Sequence, residues 1–208
     1  ASAWAVEVAP DGSLWVASID WEEEVAAGVN RLWPDGSWTN YSSVDGLGGD
    51  FVADIAIGLD GTAWFAAIDI ERETATISRL AADGQWDSYD LPVPLEDLFE
   101  ETLFFWDIEV GPDGSIWTNI LNEPRDDEVT SGVARLDTDG DWTVYTTEDG
   151  LAGAIVLDMA VDDDGSIWFT TANEDIEVGS GVSRLGTDGR WTTYNSKDGL
   201  ANDFVYAI

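Results

Sequence analysis

Carboxylates are almost the whole chemical repertoire of this chain. Its 208 residues hold 43 aspartates and glutamates, eight lysines and arginines, and neither histidine nor cysteine. Without histidine, the commonest general base and the commonest transition-metal ligand are both missing. Without cysteine there is no thiolate chemistry and no disulfide, so the redox compartment stays open. What remains is cation binding, carboxylate acid–base work and recognition of basic partners.

Three sets of carboxylates are candidates. The first lies in four acidic stretches: Asp20-Trp-Glu-Glu-Glu24, Asp69-Ile-Glu-Arg-Glu73, Asn122-Glu-Pro-Arg-Asp-Asp-Glu128 and Asn173-Glu-Asp-Ile-Glu177. There Trp21, Glu22, Glu23, Asp126, Asp127, Glu174 and Asp175 could hold a cation, a basic peptide or a sugar. The second set is Asp54, Asp107 and Asp158, which recur at one equivalent position, with Glu7 and Glu109 two residues further along other copies. A ring of such carboxylates could supply several of the six to eight oxygens that Ca²⁺ takes. The alternative is that each aspartate pairs with a recurring arginine, so that no buried charge goes unpaired. The third set, Asp162-Asp-Asp164 and Asp137-Thr-Asp139-Gly-Asp141, also suggests calcium, but lacks the distal bidentate glutamate of an EF-hand loop. A carboxylate pair for glycoside hydrolysis is not singled out, because acids are abundant everywhere.

These residues sit on a repeat. Trp15, Trp64, Trp117 and Trp168 are 49, 53 and 51 residues apart. A second series, Trp38, Trp86, Trp142 and Trp191, is followed three residues later by Tyr41, Tyr89, Tyr145 and Tyr194. Between the two series lie Arg31, Arg79, Arg135 and Arg184, and Asp-Gly precedes every one of these tryptophans. Such a period means a repeat architecture.

Within each copy the apolar residues alternate with period two, so the elements are strands. Asp-Gly between alternating runs is a strong hairpin signal, because glycine accepts the positive φ of a tight turn. Only Leu95 to Glu101 is compatible with a helix. A four-stranded antiparallel unit of this length cannot bury both faces alone, and radial stacking of copies makes a β-propeller. The expectation is an all-β propeller with blades at about 1–48, 49–101, 102–152 and 153–201 and the first strand of a fifth at 202–208. The latter rests on Asp203-Phe-Val-Tyr-Ala-Ile208 matching Asp50-Phe-Val-Ala-Asp-Ile55. It predicts a piece of a larger propeller of about six to eight blades, with a closed four-bladed ring as the alternative. The paired tryptophans are expected to fill the space between sheets. Each can remove roughly 150–250 Å² from water, worth about 4–6 kcal/mol before entropy.

With the copies in register, Asp-Gly-x-x-Trp, Gly-Val-x-Arg-Leu, Trp-x-x-Tyr and Asp-Gly-Leu resemble the propeller repeats of bacterial two-component-regulator sensor domains. Asp164-Gly-Ser-Ile-Trp-Phe169 is also similar to the repeat of streptogramin-lyase-type propellers. Both resemblances imply the fold; the second implies a histidine-dependent catalyst, for which this stretch has no residue.

A formal net charge of −35 repels nucleic-acid backbones and anionic membranes. No apolar run approaches the ~20 residues that span a bilayer. The function expected is a non-catalytic binding or scaffold propeller, extracellular or periplasmic, meeting a ligand or protein through its acidic loops. Alternatives are part of a lyase-type or carbohydrate-active enzyme with catalytic residues elsewhere, and a surface protein assembling through open blade edges. Calcium is the one cofactor for which the residues make a case. The long link Asp90–Glu101, carrying Leu98 and Phe99, offers either a contact surface through Phe99 or a cover for a blade edge.

Overall fold

The computed structural model describes residues 2–20, 25–69, 72, 74–92, 107–121, 131–173 and 178–208. Among them are sixteen strands in four antiparallel sheets, each four strands long and laid down in chain order. The first sheet is β1 (Ser2–Val8), β2 (Leu14–Asp20), β3 (Val25–Leu32) and β4 (Trp38–Tyr41). The second is β5 (Phe51–Ile57), β6 (Ala63–Asp69), β7 (Thr74–Leu80) and β8 (Trp86–Asp90). The third is β9 (Ile108–Val110), β10 (Ile116–Leu121), β11 (Ser131–Leu136) and β12 (Trp142–Tyr145). The fourth is β13 (Ile155–Val161), β14 (Ile167–Ala172), β15 (Gly179–Leu185) and β16 (Trp191–Tyr194). These are the four blades that the repeat predicts.

Each Asp-Gly turn closes the same way. In the first, Gly12 at φ +83° donates its N–H to the Ala9 carbonyl at 2.9 Å. Asp11 accepts from the Ser13 amide at 2.9 Å and the Ser13 hydroxyl at 2.6 Å. The turn residues therefore supply their own hydrogen bonds, which fixes the register of the flanking strands.

The chain divides into two compact units, residues 1–96 and 97–208, each of two sheets. In the first unit Trp15, Ala17 and Val29 pack against Val52, Ile55, Phe65 and Leu80. In the second, Trp117 and Val133 pack against Val156, Met159, Ile167 and Phe169. The joint is aromatic in both. Trp15 stacks on Tyr41 with centroids 5.5 Å apart, Tyr41 meets Trp86 edge-on at 5.9 Å, and Phe65 lies 5.7 Å from Trp86. Trp117, Tyr145, Trp191 and Phe169 repeat this at 5.5, 5.8 and 5.4 Å. Offset and edge-on pairs at such separations suit the ring quadrupoles and add to the area buried.

The recurring tryptophans are therefore not equivalent. Trp15 and Trp117 are enclosed at 1% and 3% exposure, while Trp86 and Trp191 are half-buried partners of the preceding sheet's tyrosine. Trp64 and Trp168 are half-buried on their own sheets' tyrosines Tyr89 and Tyr194. Trp142 is half-buried as well. Trp38 departs from the inter-sheet expectation: it is 59% exposed, whereas its counterpart Trp86 leans on Tyr41 of the preceding sheet.

Residues 203–208 stand where a fifth first strand is expected, although they form no ladder. The Gly181 amide donates to the Asp203 carbonyl at 2.8 Å, as the Gly28 amide donates to the Asp50 carbonyl at 2.9 Å. The stretch Leu95–Glu101 lies outside the described residues.

Candidate functional site

Antiparallel alternation puts the β1–β2 and β3–β4 turns of a sheet at one end, and the β2–β3 loop and the link to the next sheet at the other. The Asp-Gly end holds the arginines. Each repeat arginine is the cross-strand neighbour of a repeat tryptophan: Arg31 of Trp15, Arg79 of Trp64, Arg135 of Trp117 and Arg184 of Trp168. Its guanidinium lies over that ring, at 4.7, 5.6, 5.9 and 5.5 Å respectively. Arg31 is also 3.7 Å from the Trp33 centroid, so it is held between two indoles.

The arginine's partner is the turn aspartate. Arg31 binds Asp11 at 2.6 Å, Arg135 binds Asp113 at 2.7 Å and Arg184 binds Asp164 at 2.7 Å. Arg79 binds Asp87 at 2.8 Å instead. The reading in which the arginines pair with Asp54, Asp107 and Asp158 is corrected here: a residue opposite the tryptophan reaches along its own sheet to the turn. Serine hydroxyl and amide donors, then the guanidinium, hold the Asp11 and Asp164 carboxyls below the ordinary aspartate range. At Asp113 burial opposes ionisation, yet the Ser115 donors and Arg135 outweigh it.

The first-strand aspartates are tied to the neighbouring strand. Asp107 accepts the Met159 amide at 2.7 Å, and Asp158 accepts the Ile208 amide at 2.7 Å. Asp54 holds the same register position, opposite Ala66 as Asp158 is opposite Thr170. Of the carboxylates Asp54, Asp107 and Asp158 expected to form a metal-binding ring, Asp107 and Asp158 each accept a backbone amide through one oxygen. The second, third and fourth sheets contribute one such group each and the first has Ala5 there, and among the described residues no three acidic side chains gather as a metal site would need. The turn clusters are likewise committed. Asp137 accepts the Asp139 and Asp141 amides at 2.9 Å each, and Asp162 accepts the Asp163 amide at 2.7 Å.

Sequence reasoning passed over Asn119. Its side-chain oxygen accepts the Asp107 amide at 2.9 Å and its nitrogen donates to the Val156 carbonyl at 3.1 Å. The signal available was a polar residue at an alternation position that is otherwise apolar. Among the described residues no buried side-chain nitrogen or oxygen lacks a partner. Burial beside Trp15 pushes the Glu7 carboxyl up, with the Val8 amide partly compensating.

The other end carries the acidic loops. Trp21, Glu22, Glu23, Phe99, Asp126, Asp127, Glu174 and Asp175 all lie outside the described residues. Their flanks are ordered by local bonds. The Asp69 carboxylate binds Arg72 at 2.6 Å, and the Asn173 amide donates to the Val178 carbonyl at 2.9 Å while Ser180 donates to Asn173 Oδ1 at 2.5 Å.

No protein-family model matches the chain, and no curated protein matches it. Solved structures do. An extracellular domain assigned to a hybrid two-component system of B. thetaiotaomicron aligns over 100% of this chain and 24% of its own, at 14% identity and a TM-score of 0.62. A gluconolactonase from Xanthomonas campestris aligns over 89% and 59%, at 18% identity and 0.56. A catalytically inactive virginiamycin B lyase from Staphylococcus aureus aligns over 92% and 69%, at 16% identity and 0.46. The sensor type that the repeats resemble is among these structural neighbours, and the chain is four blades of a β-propeller followed by the first-strand segment of a fifth. It spans about a quarter of the length of the sensor domain.

Proposed function

We propose that this propeller is a non-catalytic, extracytoplasmic recognition module whose acidic loop end binds a cationic ligand or a basic segment of a protein. One observation carries the reading. At the Asp-Gly end and along the first strands, the recurring polar groups are committed to turns, arginines and neighbouring backbone. Variation between copies is concentrated at the other end, in loops dense in carboxylates. A scaffold constant at one end and variable at the other carries its specificity in the variable loops. The extracytoplasmic placement draws on the extracellular domain among the neighbours. The gluconolactonase shares only the fold, and fold alone does not carry activity.

The test is titration with a lysine-rich peptide and, separately, with CaCl₂. Binding of the peptide should weaken as ionic strength rises, because exposed charges are screened. Neutralising Glu22, Glu23, Asp126, Asp127, Glu174 and Asp175 to amides should weaken it further, with melting unchanged. Equal affinity for the neutralised variant would overturn the assignment to the loops.

A further inference from the structure

Asp-Gly occurs eleven times in the chain, and the backbone divides these pairs into two kinds. Eight of them close hairpin turns, and there the glycine nitrogen is held. Each of these glycines, from Gly12 to Gly189, donates its N–H to the carbonyl three residues earlier, at 2.9 to 3.1 Å. Several of the aspartates are engaged through both oxygens as well. Asp11 accepts from Ser13 and Arg31, and Asp164 from Ser166 and Arg184.

The remaining pairs stand in Asp-Gly-Leu, in the links that follow the first, third and fourth sheets. There the Asp45 and Leu47 amides both donate to the Ser42 carbonyl, at 3.0 and 3.2 Å, and the Asp149 and Leu151 amides to the Thr146 carbonyl, at 3.1 and 3.3 Å. The Asp198 and Leu200 amides use Asn195 in the same way. The glycine between is passed over: among the described residues no acceptor takes the N–H of Gly46, Gly150 or Gly199. Asp45 and Asp149 are exposed, and each is held through Oδ2, which accepts the amide and the hydroxyl of Ser42 or of Thr146. The other carboxylate oxygen is not part of that turn, and glycine has no Cβ to shield its nitrogen.

We propose that the Asp-Gly-Leu aspartates Asp45, Asp149 and Asp198 are sites of isoaspartate formation, while the hairpin Asp-Gly pairs are protected from it. The unbonded glycine nitrogen loses its proton to water and attacks Cγ of the protonated carboxyl. The C–N bond forms, the C–OH bond breaks, and water leaves as the succinimide ring closes. Water then adds to one of the two ring carbonyls. Opening at the side-chain carbonyl restores aspartate; opening at the main-chain carbonyl leaves a backbone that runs through Cβ. In a hairpin turn the same attack first requires the glycine N–H to leave its carbonyl. The lengthened backbone matters at the joint between sheets. A Cβ on Gly46 would stand 2.7 Å from the Trp86 Cβ, and one on Gly150 2.6 Å from the Trp191 Cβ, so these links have no room for an added atom. Leu47 and Leu151, the next residues, are buried in the same joints. Isomerisation at Asp45 or Asp149 therefore loosens the aromatic packing, a covalent change that refolding does not reverse.

Incubation of the folded protein at physiological temperature, followed by peptide mapping with electron-transfer fragmentation, tests this, because that fragmentation separates isoaspartyl from aspartyl backbones. Asp139 is the internal comparison: it is exposed like Asp45, but the Gly140 N–H is bonded to the Asp137 carbonyl at 3.1 Å. Isoaspartate should accumulate at Asp45 and Asp149 at least about fivefold faster than at Asp139, the factor that one net backbone hydrogen bond is worth. In urea, where no turn survives, the three sites should react alike. Asp45→Asn and Asp139→Asn close the same ring with loss of ammonia and need no protonated carboxyl. Their rates should differ by the same factor, so the asparagine pair isolates the glycine nitrogen from the state of the acid. Circular dichroism establishes that each variant is folded. Equal rates at Asp45 and Asp139 in the folded protein, or a difference that persists in urea, would overturn the proposal.

Discussion

The two units solve the same joint differently at one position. In the first, Ala5 lies opposite Ala17, both buried, on the face that meets the second sheet. In the second, the equivalent residues are Asp107 and Asn119, bonded to each other and to the backbone of β13 through Met159 and Val156. Those two backbone groups flank the register shift between Val156 and Asp158, where the bulge interrupts the ladder. The aromatic quartet is the same in both units. The polar bridge is thus an addition to a joint that packing already makes, and it fixes where the neighbouring strand sits rather than whether it packs.

The largest expected effect tests the shared part. Trp15→Ala and Trp117→Ala each remove an enclosed indole and should cost about 3–5 kcal/mol. Denaturant unfolding monitored separately for each unit should show similar losses. A loss below about 1 kcal/mol for Trp117→Ala alone would mean that the polar bridge, not the aromatic quartet, carries the second joint.

The next effect isolates the difference. Asp107→Ala leaves the Met159 amide without its acceptor and should cost about 1–3 kcal/mol. Replacing Asp107 and Asn119 together by alanine recreates the solution of the first unit. The double variant should lose less than the sum of the two single changes, because both act on one bulge. Strict additivity of melting free energies would show that the two residues do not work as a unit.

The strands, the turns and the blade period were legible because they rest on local rules: alternation, Asp-Gly and recurring aromatics. The arginine partners were not. Choosing between Asp113 and Asp107 for Arg135 depends on which way a side chain leaves its strand, and a one-dimensional spacing does not contain that. Trp38 and Trp86 occupy the same repeat position, yet one is exposed and the other packed, because burial depends on which sheet lies alongside. Asn119 escaped for a related reason, since its partners are 12 and 37 residues away. The loops were legible only as composition, because nothing in their lengths or sequences repeats.

A smaller effect belongs to the Asp-Gly end. The Arg135–Asp113 pair is partly exposed, at 26% and 57% of the side chains, so Arg135→Ala should cost less than about 1 kcal/mol after solvent screening. Its pH signature has a definite sign. Asp113 titrates below its unfolded value, so its contribution is full above about pH 4 and is lost as pH falls through the lower folded-state pKa. Acid unfolding should therefore begin at higher pH in Arg135→Ala than in the parent. Identical acid midpoints would remove the guanidinium from the account of that carboxyl.

Glu7 should behave in the opposite sense, and with the smallest magnitude. Burial beside Trp15 raises its pKa, so the folded protein binds the proton more tightly than the unfolded chain does. Stability from this group is greatest when it is protonated and falls as pH rises from the unfolded to the folded pKa. The ionised form is then a standing penalty at neutral pH. Glu7→Gln removes that titration while keeping the shape, so it should raise the melting temperature slightly at pH 7 and flatten the pH dependence just above the ordinary glutamate range. The equivalent positions in the second and fourth sheets are Ala56 and Ala160, so the joint does not require an acid there. A Glu7→Gln variant less stable than the parent at pH 7 would mean that the carboxylate is held by a partner that offsets its burial.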